Sequence, residues 1–244
     1  MKTYLFSLLL LLCAAPQANA ETITIGAEDD WAPYSSVVER KAQGFAVDVV
    51  REAFAAVNVT VHFEVLPYVR CLAQAKAGNL VGCFDAVPNG MISASYLWHD
   101  HPLFTTRMNV YGLAGSKESG LTATSLEGKT VGVARDYEYG DEFDLNTKIV
   151  RRVVDKNEHG FKMLLANRIA YMAAEERIAN DLFAKYPQAF GGKFKLVGTV
   201  ATPGLYMAFT KASPDGAKYL AKFNQGYAQI RKNGKYQAIE RKWF

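Results

Sequence analysis

Few residues in this sequence have the types and spacing that catalysis or metal binding requires. The segment His99-Asp100-His101 offers two imidazoles and a carboxylate, but it precedes Pro102 in a predicted loop and has no fourth ligand at the spacing of a zinc site. No Ser/His/Asp or Cys/His set can be assembled, and the sequence has no glycine-rich phosphate loop. We therefore expect neither a metal ion nor a cofactor.

The amino terminus has the pattern of a cleaved secretory signal peptide. Lys2 precedes an apolar run over residues 4–12, and the small residues Ala18-Asn19-Ala20 follow at the position that a signal peptidase requires. The run is too short to cross a bilayer as a helix. We predict a signal peptide over residues 1–20 and a periplasmic location. Cys13 raises the alternative of a lipoprotein, but the residue before it is bulky rather than small.

The mature chain keeps two cysteines, Cys71 and Cys83. An even pair in an oxidising compartment favours a disulfide. In the chain-entropy model, a loop this short is worth about 3 kcal/mol of stability. The alternative is two buried free thiols, since cysteine packs well as a small apolar residue.

Charge and composition do not indicate a nucleic-acid-binding protein. The formal net charge is +4 with Lys2 and +3 without it, and the positive residues are scattered, with only short clusters such as Arg151-Arg152. We expect a monomer that has no nucleic-acid partner.

Strand and helix patterns alternate along the chain, which predicts an α/β protein with mainly parallel sheets. The clearest strand has Val59, Val61, Phe63 and Val65 alternating with polar residues. The first set comprises strands 22–25, 59–65 and 80–84 and helices 45–57 and 69–77, the latter ending at Gly78. The second comprises strands 130–134, 148–153 and 169–173 and helices 158–166 and 175–186, followed by a strand at 205–210, a helix from about 215 and a short helix ending at Trp243. Two such sets suggest two lobes.

Short segments in a fixed order resemble the periplasmic solute-binding proteins of the polar amino acid transporter type, family 3. They are Ile25-Gly26, Trp31-Ala32-Pro33-Tyr34, Gly44-Phe45-Ala46-Val47-Asp48, Leu126-Glu127-Gly128-Lys129-Thr130-Val131-Gly132-Val133, Ile230-Arg231-Lys232-Asn233-Gly234-Lys235-Tyr236 and Trp243-Phe244. The segment Pro67-Tyr68-Val69-Arg70-Cys71-Leu72, with Gly82-Cys83-Phe84-Asp85, resembles a subgroup whose members are not all transporter subunits.

The resemblance implies a type II periplasmic binding protein fold, with two α/β lobes and a ligand cleft between them. The lobes would comprise residues 21–108 with 206–244, and residues 109–205. Two crossing strands, near Met108 to Ala114 and Thr202 to Ala208, would form the hinge.

The arginine with which this family grips the ligand carboxylate has no counterpart here, because an ungapped match places Ser93 at its position. A guanidinium fork binds a carboxylate through two parallel hydrogen bonds. Arg70 or Arg135 could replace it, although each could equally be a solvated or structural arginine.

The same resemblance places two carboxylates in the cleft, Asp85 and Glu175. Asp85 follows a buried strand, at the end where parallel sheets bind ligands. A buried carboxylate must be paired or remain protonated, so two of them favour a cationic, amine-bearing ligand. The alternative for Glu175 is a residue of the first helical turn that is stabilised by the helix dipole.

Five aromatic residues are candidates to contact the ligand, by cation–π attraction where a ring faces a cation. Trp31 and Tyr34 occupy the loop where the family places an aromatic platform, and Tyr68 and Trp98 are weaker candidates. Tyr137 follows a strand of the second set. Core packing explains these aromatic residues nearly as well.

These features predict a binding protein that closes on a small amine-bearing solute and delivers it to a membrane permease. A sensor that signals to a membrane receptor is the first alternative. The second is an enzyme, because the family also resembles cyclohexadienyl dehydratase, in which a cleft carboxylate acts as general acid on a carboxylated ring.

Overall fold

The computed structural model describes residues 21–244. The predicted signal peptide and Cys13 lie outside this range. Within it, no helix is long and apolar enough to cross a bilayer.

Strands and helices alternate along most of the described chain. The strands are β1 (Glu21–Glu28), β2 (Asp30–Trp31), β3 (Ser35–Val38), β4 (Lys41–Gln43), β5 (Val59–Leu66), β6 (Gly82–Ala86), β7 (Leu97–Trp98), β8 (Phe104–Thr105), β9 (Met108–Leu113), β10 (Thr130–Ala134), β11 (Val150–Val154), β12 (Tyr171–Glu175), β13 (Phe194–Ala201) and β14 (Gly204–Phe209). The helices are α1 (Phe45–Ala55), α2 (Tyr68–Ala77), α3 (Asp141–Asp144), α4 (Asn157–Leu165), α5 (Glu176–Lys185), α6 (Pro187–Phe190), α7 (Pro214–Lys232) and α8 (Lys235–Trp243).

The first large sheet has the strand order β5-β1-β6-β14-β7, and β8 pairs with the start of β14. Strand β1 runs parallel to β5 and β6, whereas β14 is antiparallel to β6. Helices α1, α7 and α8 contribute apolar residues to one core cluster, and α2 contributes to a second. Because β1 and β6 are parallel, their carboxyl ends lie at the same edge of the sheet.

The second large sheet has the strand order β11-β10-β12-β9-β13. Strands β10, β11 and β12 are parallel, and β9 runs antiparallel to both β12 and β13. Phe161 of α4 and Ala179 of α5 belong to one apolar cluster of this unit, whereas Phe143 of α3 belongs to another. The small antiparallel sheet β2-β3-β4 packs beside the first unit, where Trp31 and Ala42 join its core.

The chain crosses between the two sheets twice. One link joins β8 to β9 through residues 106–107, and the other joins β13 to β14 through residues 202–203. The two links touch, since the amide of Thr106 donates to the carbonyl of Pro203 over 3.1 Å. The crossing predicted at 108–114 is strand β9, which follows the first link, whereas the crossing predicted at 202–208 contains the second link and most of β14. The predicted lobe bounds stay a prediction.

Cys71 of α2 and Cys83 of β6 form a disulfide, as predicted, with 5.9 Å between their Cα atoms. The bond fastens α2 to the strand that carries Asp85. Gly26 of β1 makes room for it, because a Cβ atom at that position would lie 2.3 Å from Cys71 Sγ. Gly78 ends α2 with φ +83°, the left-handed conformation expected of a glycine at a helix carboxyl end.

Candidate functional site

A small cavity lies between the two sheets at the carboxyl ends of their parallel strands. The first unit contributes Glu28, Trp31, Tyr68, Asp85 and Val87, the second Asp136, Tyr137 and Glu138, and the segments beside the two links Met108 and Leu205. Its volume is about 30 Å³, which is room for about two water molecules. The two units are therefore closed on each other.

Carboxyl groups dominate the cavity wall. Four lining residues carry carboxyl groups, and none of the lining residues that the structure describes is lysine, arginine or histidine. Glu28 ends β1 and Asp85 lies next to the end of β6, so the parallel arrangement of these strands brings the two groups to one edge.

Asp85 is the most isolated polar group of the site. Its side chain is only 5% exposed, and neither carboxyl oxygen has a hydrogen-bond partner within residues 21–244. Burial, followed by repulsion from Glu28, raises the pKa of Asp85 well above its usual range. The residue also has φ +65°, in the left-handed region. An unpaired buried carboxyl group needs either a proton or a cation.

Glu28 and Glu138 are two further carboxyl groups of this wall whose pKa values are raised. Burial raises the pKa of Glu28 to about 8, with further contributions from Asp29 and Asp30. Burial raises the pKa of Glu138 to about 7, although hydrogen bonds to its carboxylate act in the opposite direction. Two groups of the first unit donate to Glu138 Oε2, the amide of Val87 over 3.2 Å and the hydroxyl of Tyr68 over 3.3 Å. Glu138 thus joins the two units.

Glu175 is buried but does not line the cavity. It caps α5, with Oε2 accepting from the amide of Ile178 over 2.9 Å. Its Oε1 accepts from the hydroxyls of Thr106 and of Tyr34, the latter over 3.2 Å. The carboxylate is fully engaged within the protein, in agreement with the alternative of a residue that stabilises the start of a helix.

Tyr34 likewise lies outside the cavity lining. Its ring stacks on Phe104 at 4.5 Å between centroids, and the side chain is 1% exposed. The predicted ligand contact therefore gains no support from the geometry, because stacking and the bond to Glu175 already account for Tyr34.

Arg70 and Arg135, the two candidate carboxylate binders, and Ser93, at the place of the missing arginine, also lie outside the cavity. Arg70 is exposed on α2, and Arg135 is exposed and bonds Asp155 with 2.9 Å between Nε and Oδ1. Ser93 is exposed in a single 3₁₀ turn. The cavity wall consequently offers no guanidinium fork.

Trp31, Tyr68, Asp85 and Tyr137 are the predicted site residues that the structure brings together. Sequence reasoning missed Glu28 and Glu138. A signal existed for each, since Glu28 ends the first strand and Glu138 adjoins the selected Tyr137 in the loop after β10.

His99 is a buried neutral imidazole rather than a metal ligand. It is 3% exposed among the rings of Tyr206, Phe223 and Tyr227, and neither ring nitrogen has a partner in the described part of the chain. Burial, with a smaller contribution from His101, lowers its pKa to about 3 from 6.5. Across residues 21–244, no cluster of His, Cys, Asp or Glu is arranged to hold a metal ion.

We expect His99 to make the fold acid-sensitive. Because its folded pKa lies below its unfolded value, the native state binds fewer protons, so the free energy of unfolding falls as the pH drops below about 6.5. Between pH 7 and pH 5 the loss from this residue amounts to about 2 kcal/mol. His99→Leu should remove that component in urea unfolding curves, whereas His101→Leu, at an exposed neighbour, should keep it. If the free energy of unfolding changes equally with pH in His99→Leu and in the wild type, this role of His99 is contradicted.

Comparison with known proteins places these features in context. The family model "Bacterial extracellular solute-binding proteins, family 3" matches residues 23–244. An ancestral arginine-binding protein bound to arginine is 20% identical, with a TM-score of 0.73 over 93% of this chain and 99% of that one. An arginine-, lysine-, histidine-binding protein from Geobacillus stearothermophilus is 19% identical, with a TM-score of 0.73 over 92% and 95% of the two chains. These likenesses show the fold, which is the two-lobed periplasmic binding protein fold.

Two further relatives are described as sensors. A histidine kinase sensor domain with similarity to periplasmic binding proteins is 19% identical, with a TM-score of 0.74 over 93% of this chain and 97% of that one. A Shewanella frigidimarina protein named "Putative sensor protein" is 24% identical over 247 residues. The match covers all of this chain but only 36% of that protein.

Proposed function

Since this chain belongs to the bacterial extracellular solute-binding proteins of family 3, we propose that it binds a small cationic, amine-bearing solute in the cleft between its lobes. Binding would hold the lobes closed. The observation that carries the proposal is Asp85, a buried carboxyl group without a partner in a wall that also holds Glu28 and Glu138. A cation would neutralise these groups and supply the hydrogen bonds that Asp85 lacks.

Aromatic residues support the same ligand charge. Trp31 and Tyr137 line the cavity beside the carboxyl groups, and an ammonium held over either ring gains cation–π attraction. Several structural relatives are described as arginine-binding proteins, so a cationic ligand has precedent in the fold.

We propose transport and sensing as the two uses of this binding event. In transport the closed protein would deliver its solute to a membrane permease, and a structural relative is described as the substrate-binding protein of an amino acid ABC transporter. In sensing the closed form would act on a membrane receptor, and the two relatives described as sensors favour this use. Copurification from membranes with a permease or with a receptor separates the two.

A dehydratase-like activity has less support. Asp85, with its raised pKa, could donate a proton, but the cavity wall offers no positive side chain among its described residues to hold a dicarboxylated ring. Turnover of prephenate by the purified protein would restore the enzymatic alternative.

Thermal unfolding with added solutes tests the binding proposal. Lysine, arginine, putrescine and agmatine form the cationic set, and glutamate and malate form the anionic set. A ligand that binds only the native state at 100 times its Kd stabilises by about 2.7 kcal/mol, so cations of suitable size should raise Tm by several degrees. Stabilisation by the dicarboxylates alone would contradict the proposal.

A further inference from the structure

We infer that the preferred ligand of this cleft is a primary amine or diamine that carries no carboxylate group. The inference rests on the proposed function and narrows it, because an amino acid and its decarboxylated amine share the cation and differ by one negative charge.

The charge of the wall opposes a carboxylate. Glu28, Asp85, Asp136 and Glu138 line the cavity, and no positive side chain does so in the described range. A ligand carboxylate would disfavour ionisation of these groups and would be repelled by each of them that ionises. An amino acid that placed its ammonium against Asp85 would bring its own carboxylate within a short distance of this wall.

The groups that could receive a carboxylate are engaged elsewhere or lie outside the cavity. Arg135 is paired with Asp155, and Arg70 is exposed outside the lining. The amino end of α5 would be a natural anion site, but Glu175 of the chain itself already accepts from the amide of Ile178. No recognition of a ligand carboxylate is therefore built into these elements.

The unpartnered atoms fit an ammonium group instead. Asp85 presents two free acceptor oxygens, and a primary ammonium has three N–H donors. The cavity of about 30 Å³ has room for a group of that size. A longer amine would hold the lobes farther apart than they are here while keeping its charged end at Asp85.

Matched pairs of ligands test the inference by isothermal titration calorimetry on the purified protein. The pairs are agmatine with arginine, cadaverine with lysine, and putrescine with ornithine, and each differs by one carboxylate. We expect the amine of at least one pair to bind more than tenfold tighter than its parent amino acid. Equal or tighter binding of the amino acid in every pair would overturn the inference and leave the proposed function standing. Absence of binding by all six cations would overturn both.

A variant adds a second readout. Asp85→Asn removes the charge that repels a carboxylate, so it should narrow the affinity ratio between amine and amino acid in the preferred pair. Asp181→Asn makes the same chemical change at an exposed position of α5 and should keep the ratio. A ratio that is unchanged in Asp85→Asn would contradict the role given to Asp85.

Discussion

Asp85→Asn is expected to weaken the binding of a cationic amine by about 100-fold and to raise the Tm of the unliganded protein. Removing one partner of a buried charge pair costs about 3 kcal/mol or more, which corresponds to that loss of affinity. The unliganded variant should be more stable because it no longer buries an unpaired carboxyl group, whose pKa is raised by burial. Calorimetry and thermal unfolding measure the two effects on the same sample.

A loss of affinity together with a higher Tm distinguishes this prediction from a general loss of folding, which would lower both. Asn has nearly the shape of Asp and tolerates the left-handed backbone at this position, where φ is +65°. Asp181→Asn should change neither quantity. A fall in Tm together with unchanged affinity would remove Asp85 from the binding site.

Cation binding should release protons and strengthen as the pH rises. At pH 6 the raised pKa values of Glu138, about 7, and Glu28, about 8, keep these groups largely protonated in the unliganded closed form, and burial raises the pKa of Asp85 as well. A bound cation favours the ionised forms, so we expect release of about one proton or more per ligand near pH 6. Affinity should then rise about tenfold per pH unit for each proton released, and the contributions of Glu138 and Glu28 should level off above about pH 8.

In the unliganded protein, these carboxyl groups should contribute less to stability as the pH rises, whereas they strengthen ligand binding. A carboxyl group whose pKa is raised on folding stabilises the native state at low pH relative to high pH. The contribution of Glu28 and Glu138 to the free energy of unfolding therefore falls as the pH rises from about 4.5 to about 8, whereas the contribution of His99 rises between pH 5 and pH 7. Titrations at one pH in buffers of different ionisation enthalpy count the protons. Glu28→Gln should reduce the count, while Glu142→Gln, at an exposed position of α3, should not. If no protons are released on ligand binding at either pH 6 or pH 8.5, the prediction that the cleft carboxyl groups are protonated at pH 6 is contradicted.

Local patterns in the sequence predicted most elements of the fold. Strand β10 has the predicted bounds of 130–134, and β5 and α1 differ from prediction by one or two residues at an end. These elements have clear apolar periodicity because one face of each is buried. Strand β13 was missed, since it lies at the edge of its sheet, pairs irregularly with β9 and carries a mixed pattern of buried and exposed residues.

The site was harder to predict because the cleft residues are far apart in the sequence and come together only in the folded protein. Asp85 and Tyr137 were found from strand ends and from a resemblance, and both line the cavity. Glu175 was chosen in the same way, but its carboxylate is engaged by Ile178 and by hydroxyls far away in sequence. Sequence spacing does not show which of several acidic residues already has partners. Only the three-dimensional contacts separate the paired carboxylate from the unpaired one.

The two carboxylate oxygens of Glu175 accept hydrogen bonds from different parts of the protein. Oε2 serves α5 within its own unit, whereas Oε1 reaches Tyr34 of the other unit and Thr106 of a link. Separating the lobes would break the bond to Tyr34 but leave the helix cap intact. Opening would therefore leave the amino end of α5 capped, and at Glu175 it would cost about one hydrogen bond.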